Sequence, residues 1–398
     1  MAVHPRGSWQ PILEGDLAAR AHARIAQIAD AIHSHRACAA GADADPTLAD
    51  GDAGIALFAA NAARRRGRSQ TIATSVLAVD DIDDRWRTPG LYSGVVGTGW
   101  VMAYICNEFA GAGDLPLDEL DAQLLELCGD GELELEADLI YGLVGIGVYV
   151  LERWPTPFAV DCIPLIIDRL AQARRADLGL AHGMAGVIAL LGAISRLDPE
   201  WRRRIAPLIE RHVDELMRHR LPPNEVTCAF PSAIGGGPSR LAWCLGDASV
   251  ASALLSAGIA FNRKDWCDTA QDLALAAAGR PPAMSGVVDA GLCHGAAGLA
   301  HVFNRLFQAT GEGRLAETAR QWFRHALEMP EHPNGIAGFA AWTYTDASGW
   351  HWRADRGFLT GAAGIGLALL AAVGAQEPAW DRVLLLSARA PATRRVQQ

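Results

Sequence analysis

Residues 291–303, GLCHGAAGLAHVF, place Cys293 and His294 side by side, just ahead of a glycine and an apolar run. A thiol and an imidazole are both zinc ligands by type. Neighbouring side chains diverge by about 100° in a helix and face opposite sides of a strand, so the pair could share one ion only from an irregular turn. A further thiol stands upstream in SRLAWCLG, residues 239–246, where Cys244 precedes a glycine by two residues, as Cys293 does. Cys244, Cys293 and His294 therefore form a candidate set of two thiolates and one imidazole. Three protein ligands leave a fourth position open, as a catalytic zinc needs. A lone Cys-His pair reads as ordinary buried residues; the matched place of Cys244 argues against that reading here.

Three other residues could serve such a centre. His182, in GLAHGMAG at residues 179–186, is a candidate general acid or base, although a histidine taken alone is more often a satisfied core residue. Arg240 ends the Gly/Pro-rich loop LPPNEVTCAFPSAIGGGPSR, four residues before Cys244. At the rim of a zinc site a guanidinium could bind a carboxylate or stabilise developing negative charge; otherwise it is a solvated loop arginine. Asp138 closes the acidic run GELELEAD and is either a helix cap or a functional acid. The histidines at 22, 33, 35, 212, 219, 301, 325, 332 and 351 read as structural or solvated.

The elements that must position these residues are repeats. Seven stretches align on one glycine: LADGDAGIAL, LYSGVVGTGW, LIYGLVGIGV, LAHGMAGVIA, WCLGDASVAS, LCHGAAGLAH and FLTGAAGIGL, with key glycines 51, 94, 142, 183, 246, 295 and 361. Such a period points to a solenoid or toroid, and the gaps after Gly183 and Gly295 hold insertions. Each glycine leads into an apolar, small-residue segment, and each is preceded by a more amphipathic, charged one, such as 17–33, 115–128, 200–219 or 314–328; only 70–79 fits that role poorly. The charged set suits an outer layer and the nearly uncharged set an inner one. The pattern predicts an all-α fold of two concentric rings built from seven helical hairpins, spanning 1–398 as one domain. Glycine at each turn permits positive φ or close backbone approach. The residues before the glycines then gather at one mouth: Ala49-Asp50, Tyr92-Ser93, Ile140-Tyr141, Ala181-His182, Cys244-Leu245, Cys293-His294 and Leu359-Thr360. Ligand types cluster in the fourth to sixth repeats.

Composition sets the surroundings. The 398 residues are 50% hydrophobic with a formal charge of −10 and no basic block, which argues for small-molecule or peptide partners and against nucleic acid. The first residues, MAVHPRGSWQPILEGD, lack a secretion-signal core, which predicts a cytoplasmic protein. Eight scattered cysteines then read as buried thiols rather than a disulfide framework. The uncharged stretch 357–375 approaches the length of a membrane span, but its glycines and its recurrence favour a helix buried inside the fold, so no transmembrane segment is expected. Residues 329–357, with GFAAWTYTDASGWHW, predict a β-hairpin around Asp346-Ala347-Ser348-Gly349 at the rim.

Seven glycine-led hairpins, SRLAWCLG, GLCHGAAGL and GLAHGMAG together closely resemble the lanthionine synthetase C-like cyclases, over about residues 15–390. The resemblance implies an α/α toroid with a zinc at its mouth. It also implies thioether ring closure by addition of peptide cysteine thiols to dehydroalanine or dehydrobutyrine. Carried over residue by residue, it makes Cys244, Cys293 and His294 the zinc ligands, His182 the general acid/base, Arg240 a charge-stabilising partner and Asp138 an acidic partner near the histidine. Leu245 departs from the pattern, since a tyrosine often follows the first cysteine. A dehydrated precursor peptide would be the substrate. With no second catalytic region for dehydration, a separate dehydratase is implied, with export machinery as a further partner and a route to peripheral membrane association. Two rivals stand beside this reading: transfer of another thiol, such as glutathione, to an electrophile, and a non-catalytic zinc-stabilised scaffold that binds a peptide. Terpenoid cyclases and prenyltransferases also use toroids, but their DDxxD cluster is matched here only by DDIDD at 80–84, which reads as an exposed loop.

Overall fold

The apolar segments behind the key glycines are helices buried nearly all round. In the computed structural model, which describes residues 9–38, 45–65, 88–109, 116–131, 135–173, 176–222 and 228–387, the chain runs through α1 (Gly15–Cys38), α2 (Asp52–Arg65), α3 (Val95–Glu108), α4 (Asp118–Gly129), α5 (Leu143–Arg153), α6 (Pro157–Gln172), α7 (Met184–Ile194), α8 (Pro199–Arg218), α9 (Asp247–Phe261), α10 (Lys264–Ala278), α11 (Ala296–Thr310) and α12 (Gly313–Glu328). The hairpin strands β1 (Ala341–Thr345) and β2 (Gly349–Arg353) and helix α13 (Ala362–Val373) follow. The seven helices behind the glycines close a ring: α2 packs on α3, α3 on α5, α5 on α7, α7 on α9, α9 on α11, α11 on α13, and α13 returns to α2. With neighbours on every side, α7 buries all its residues except Ala193. Residues 70–79 and 80–84 lie outside the described residues.

The outer layer follows from amphipathic spacing. Helix α8 buries Ile205, Leu208, Ile209, His212, Val213 and Leu216, the 3-4 spacing of one helical stripe, and leaves its charges to solvent. Four outer helices pack chiefly on the inner helix before them, α6 on α5, α8 on α7, α10 on α9 and α12 on α11, whereas α4 packs chiefly on α6. The hairpins are therefore inner-then-outer, whereas the sequence suggested pairing each charged helix with the glycine motif after it. A second exception closes the molecule, because α1 packs on α13 and joins the first described helix to the last. The isolated apolar segment 357–375 resolves into the twelve-residue α13, and no helix among the described residues is long and apolar enough to cross a membrane.

Inner and outer helices start differently. The outer helices α6, α8 and α12 have side-chain caps, such as Asp198 accepting from Glu200 N–H at 2.7 Å with Pro199 in the first turn, whereas α4 and α10 have none. The inner helices have no side-chain cap. In six of the seven, the first helical N–H donates to a backbone carbonyl seven residues upstream, as in Leu143 to Glu136 (2.7 Å), Ala296 to Asp289 (2.9 Å) and Ala362 to Asp355 (3.0 Å). That loop brings the upstream backbone against the glycine. At Gly142 the conformation is extended, and a Cβ would fall inside the Glu136 carbonyl oxygen. Of the key glycines only Gly246 has positive φ, at 92°, so close approach is the general reason for glycine and dihedral freedom the special case.

The residues two before each glycine, joined in the third repeat by Leu139, are stitched into a closed belt. Ala49 N–H donates to Tyr92 O (2.9 Å), Tyr92 to Ile140 O (3.4 Å), Leu139 to Ala181 O (2.8 Å), Ala181 to Cys244 O (2.9 Å), Cys244 to Cys293 O (3.2 Å), Cys293 to Leu359 O (2.8 Å), and Leu359 back to Ala49 O (3.1 Å). Beneath the belt, the C-terminal turn Trp380–Leu384 fills the base of the ring. Tyr92 Oη donates to Val383 O at 2.8 Å and Trp243 Nε1 to Leu384 O at 3.0 Å, so buried groups next to the mouth have partners. Asp381 accepts from Arg305, and His301 Nε2 lies 2.7 Å from its carboxylate.

The expected β-hairpin forms with Trp342 opposite Trp352 and Tyr344 opposite Trp350, and Gly349 at φ 63° closes its three-residue turn.

The close-approach explanation predicts a contrast between two glycines. Gly142→Ala should cost about 2–3 kcal/mol by overpacking. Gly313→Ala, where a Cβ meets nothing within 4 Å, should be neutral or stabilise by up to about 1 kcal/mol. Urea unfolding midpoints of the two variants check this, and equal effects would remove the steric account.

Candidate functional site

The belt decides what meets at the mouth. It sets the position two before each glycine inward and leaves the position directly before each glycine, including His182, Tyr141 and His294, partly or fully exposed in all seven repeats. Cys244 and Cys293 are consecutive members of the belt, and His294 follows at the exposed position. Their ligand atoms lie within 4.8 Å of one another. A tetrahedral zinc with bonds of about 2.0–2.3 Å would need ligand atoms about 3.5–3.8 Å apart, so the donor set fits such an ion by type and by reach.

The surroundings already favour one thiolate. The Cys244 thiol is held well below the usual range, first because Cys293 donates to its sulfur, and further because His294 and Arg240 lie close. Cys293, holding the shared proton and buried beside that sulfur, is pushed up. Inner-helix N-termini opening onto the mouth add positive partial charge. Arg240 reaches this place from the insertion, its Cβ packed over Gly286, where any side chain would collide with it.

His182 sits on the neighbouring repeat. Its Nδ1 is 2.8 Å from Asp138 Oδ2, with the imidazole 49% exposed and the carboxylate side chain 11% exposed. Asp138 does not cap α5: its Oδ1 accepts the Tyr141 N–H at 2.7 Å in the turn before that helix, while Oδ2 meets the histidine. The hydrogen bond to Asp138 raises the His182 pKa above its ordinary value against opposing desolvation, and the Asp138, Asp177 and Cys244 charges add to the rise. With Nδ1 engaged, Nε2 is the nitrogen free to exchange protons at the mouth.

All six candidate residues are thus brought to one end of the ring. The sequence reading set Tyr141 at the mouth without a role and missed Asp289. Tyr141, 57% exposed, lies over His182 with ring centroids 6.1 Å apart and planes tilted by 29°. Asp289, 1% exposed, lies with Oδ2 3.9 Å from His294 Nε2. A signal for Asp289 was present, because the residue six before the key glycine is also acidic in the first, third, fourth and seventh repeats (Asp45, Glu136, Asp177, Asp355). Arg240 occupies that same place in the fifth. Leu245 is half-buried against Gly179 and offers no polar group.

The family model described as Lanthionine synthetase C-like protein matches residues 42–385. Among solved structures the chain is similar to nisin cyclase, at 18% sequence identity and a TM-score of 0.67, with 94% of this chain and 98% of that chain covered. At that identity the structural likeness speaks for the toroid fold.

The Asp138–His182 pair makes a pH-dependent prediction. Its stabilising contribution is fully present below the unfolded histidine value of about 6.5 and is lost as pH rises through the raised folded value. An NMR titration of the His182 ring should therefore show a midpoint above about 6.5 that falls back in Asp138→Asn, and the stability penalty of that variant should be larger at pH 6 than at pH 9. An unchanged midpoint would detach Asp138 from the histidine.

Proposed function

Because the chain belongs to the lanthionine synthetase C-like family, we propose that it is a zinc-dependent cyclase that closes thioether rings in a dehydrated peptide. The observation that carries this reading is the convergence at one mouth of a three-ligand thiol and imidazole set with an acid-oriented histidine and an arginine. Cys244, Cys293 and His294 would hold the zinc. When bound, the ion supplies an acidifying position for the substrate thiol, whose ordinary pKa near 8.5 would otherwise leave it mostly protonated at neutral pH.

The chain's own residues account for the rest. The peptide thiolate adds to the β-carbon of dehydroalanine or dehydrobutyrine, a C–S bond forms, and the electron pair of the alkene moves to an enolate. Arg240, beside the thiols, stabilises the enolate oxygen. His182, its pKa raised and its Nδ1 held by Asp138, delivers a proton from Nε2 to the α-carbon. The proton lost by the thiol balances the one gained at carbon, so each ring is an isomerisation. The rim hairpin, with Tyr344, Trp350 and Trp352 exposed, is placed to hold the peptide chain. Dehydration of serine or threonine is left to a separate dehydratase.

Purified protein should carry one zinc per chain by elemental analysis, and Cys244→Ala and Cys293→Ala should lose it while keeping a helical circular-dichroism spectrum. Full occupancy in both variants would overturn the ligand assignment. Given a dehydrated precursor, the enzyme should reduce the number of alkylatable cysteines without changing peptide mass, faster than the uncatalysed reaction and without glutathione. His182→Asn should retain zinc and lose roughly 10²–10⁴-fold in rate. Thiol loss only with added glutathione and its mass gain would favour intermolecular transfer, and binding without thiol loss would favour a scaffold.

A further inference from the structure

Asp289 is a buried carboxylate whose two oxygens serve two different parts of the molecule. Oδ1 accepts the Gly291 N–H at 3.0 Å, shaping the turn that presents Cys293 and His294. Oδ2 accepts the Trp342 N–H at 3.0 Å, at the start of β1, and lies 3.9 Å from His294 Nε2. The same residue's backbone carbonyl receives the first N–H of α11, so its position is fixed from three directions. A separation of 3.9 Å is beyond a hydrogen bond, but the carboxylate is buried and the imidazole beside it is only 20% exposed. A histidine that ligates a metal through one ring nitrogen commonly gives the other N–H to a carboxylate, which fixes its tautomer and ring orientation.

Resting on the zinc reading above, we propose that Asp289 is a positioning residue. It holds His294 in the orientation that ligates the ion, and through the Trp342 N–H it ties the rim hairpin to that orientation. The physical consequence is that the hairpin carrying Tyr344, Trp350 and Trp352 and the imidazole ligand share one buried acceptor. Loading the metal, which draws the Nε2–H toward Oδ2, then sets the root of the peptide-holding rim.

The test compares wild type and Asp289→Asn as full-length proteins, each stripped of metal and reloaded with zinc. An asparagine nitrogen turned toward any of the three N–H groups removes an acceptor without changing the shape of the side chain. Zinc affinity, measured by competition with a chromogenic chelator, should weaken by about 10–100-fold. The rise in thermal midpoint on zinc addition should shrink, whereas a purely structural role would lower the midpoints of the apo and zinc forms alike. In wild type, the Trp342 amide should exchange more slowly with zinc than without it, and the variant should lose that difference. If Asp289→Asn does not accumulate as folded protein, Asp289→Ser carries the same comparison, since a hydroxyl can still cap Gly291 N–H. Wild-type zinc binding with a variant affinity within twofold overturns the inference alone. Absence of zinc binding in wild type overturns the metal reading and this inference with it.

Discussion

Seven backbone hydrogen bonds run from one repeat to the next around the mouth and return to their start, and this closed belt is the constraint on which the rest of the structure depends. A ring of helices has no intrinsic register, because apolar side chains tolerate sliding along a helix axis at small cost. The belt removes that freedom by joining the residue two before each glycine to its counterpart in the next repeat. The glycine then becomes a requirement: the loop that feeds the belt folds its upstream carbonyl onto the glycine and onto the first N–H of the helix, leaving no room for a Cβ. Backbone capping of the inner helices and side-chain capping of α6, α8 and α12 follow from the same geometry. The inner N-termini are packed among neighbouring loops, and the outer ones meet solvent, where Asp198 and Thr156 can turn back on their own helices.

The chemistry is a consequence of that register. Consecutive belt positions are bonded neighbours, so placing cysteine at two of them puts two sulfurs together without any special folding of either loop. The exposed position beside the second cysteine adds the imidazole, and the corresponding position one repeat before the first cysteine adds His182. Beneath these groups the C-terminal turn closes the ring and gives the indole of Trp243, next to Cys244, a buried acceptor in Leu384. Leaving that N–H unpaired would cost about 1–3 kcal/mol directly beside a proposed ligand. The chain end thus supports the mouth from within the barrel.

The sequence by itself determined much of this protein, because local pattern dictates local structure. Apolar runs without charge become helices buried on all sides, the 3-4 stripe of 205–216 becomes the buried face of an outer helix, and the recurring glycine marks each inner helix start. The spacing of Cys244 and Cys293 from Gly246 and Gly295 made the three-ligand set legible before any coordinates. The hairpin at 341–353 was legible from strand alternation and its Asp-Ala-Ser-Gly turn. What the pattern left undecided was direction of pairing: a charged helix between two apolar ones reads equally well with either neighbour, and only packing shows that it folds back on the inner helix before it.

Tertiary structure alone decided which side chains meet across repeats. Asp138 looked as much like a cap as a functional acid; it caps no helix, and its two oxygens meet the Tyr141 N–H of its own repeat and the His182 ring of the next. Asp289 escaped notice since its partners, Gly291, Trp342 and His294, come from a turn, a hairpin and a mouth position that periodicity treats separately. The glycines were explained only once the loops were seen, positive φ at Gly246 being one case among close approaches. The physical reason is common to all of these. Hydropathy and propensity act along the chain over a turn or two, whereas the acceptor a buried N–H finds is set by how the ring closes.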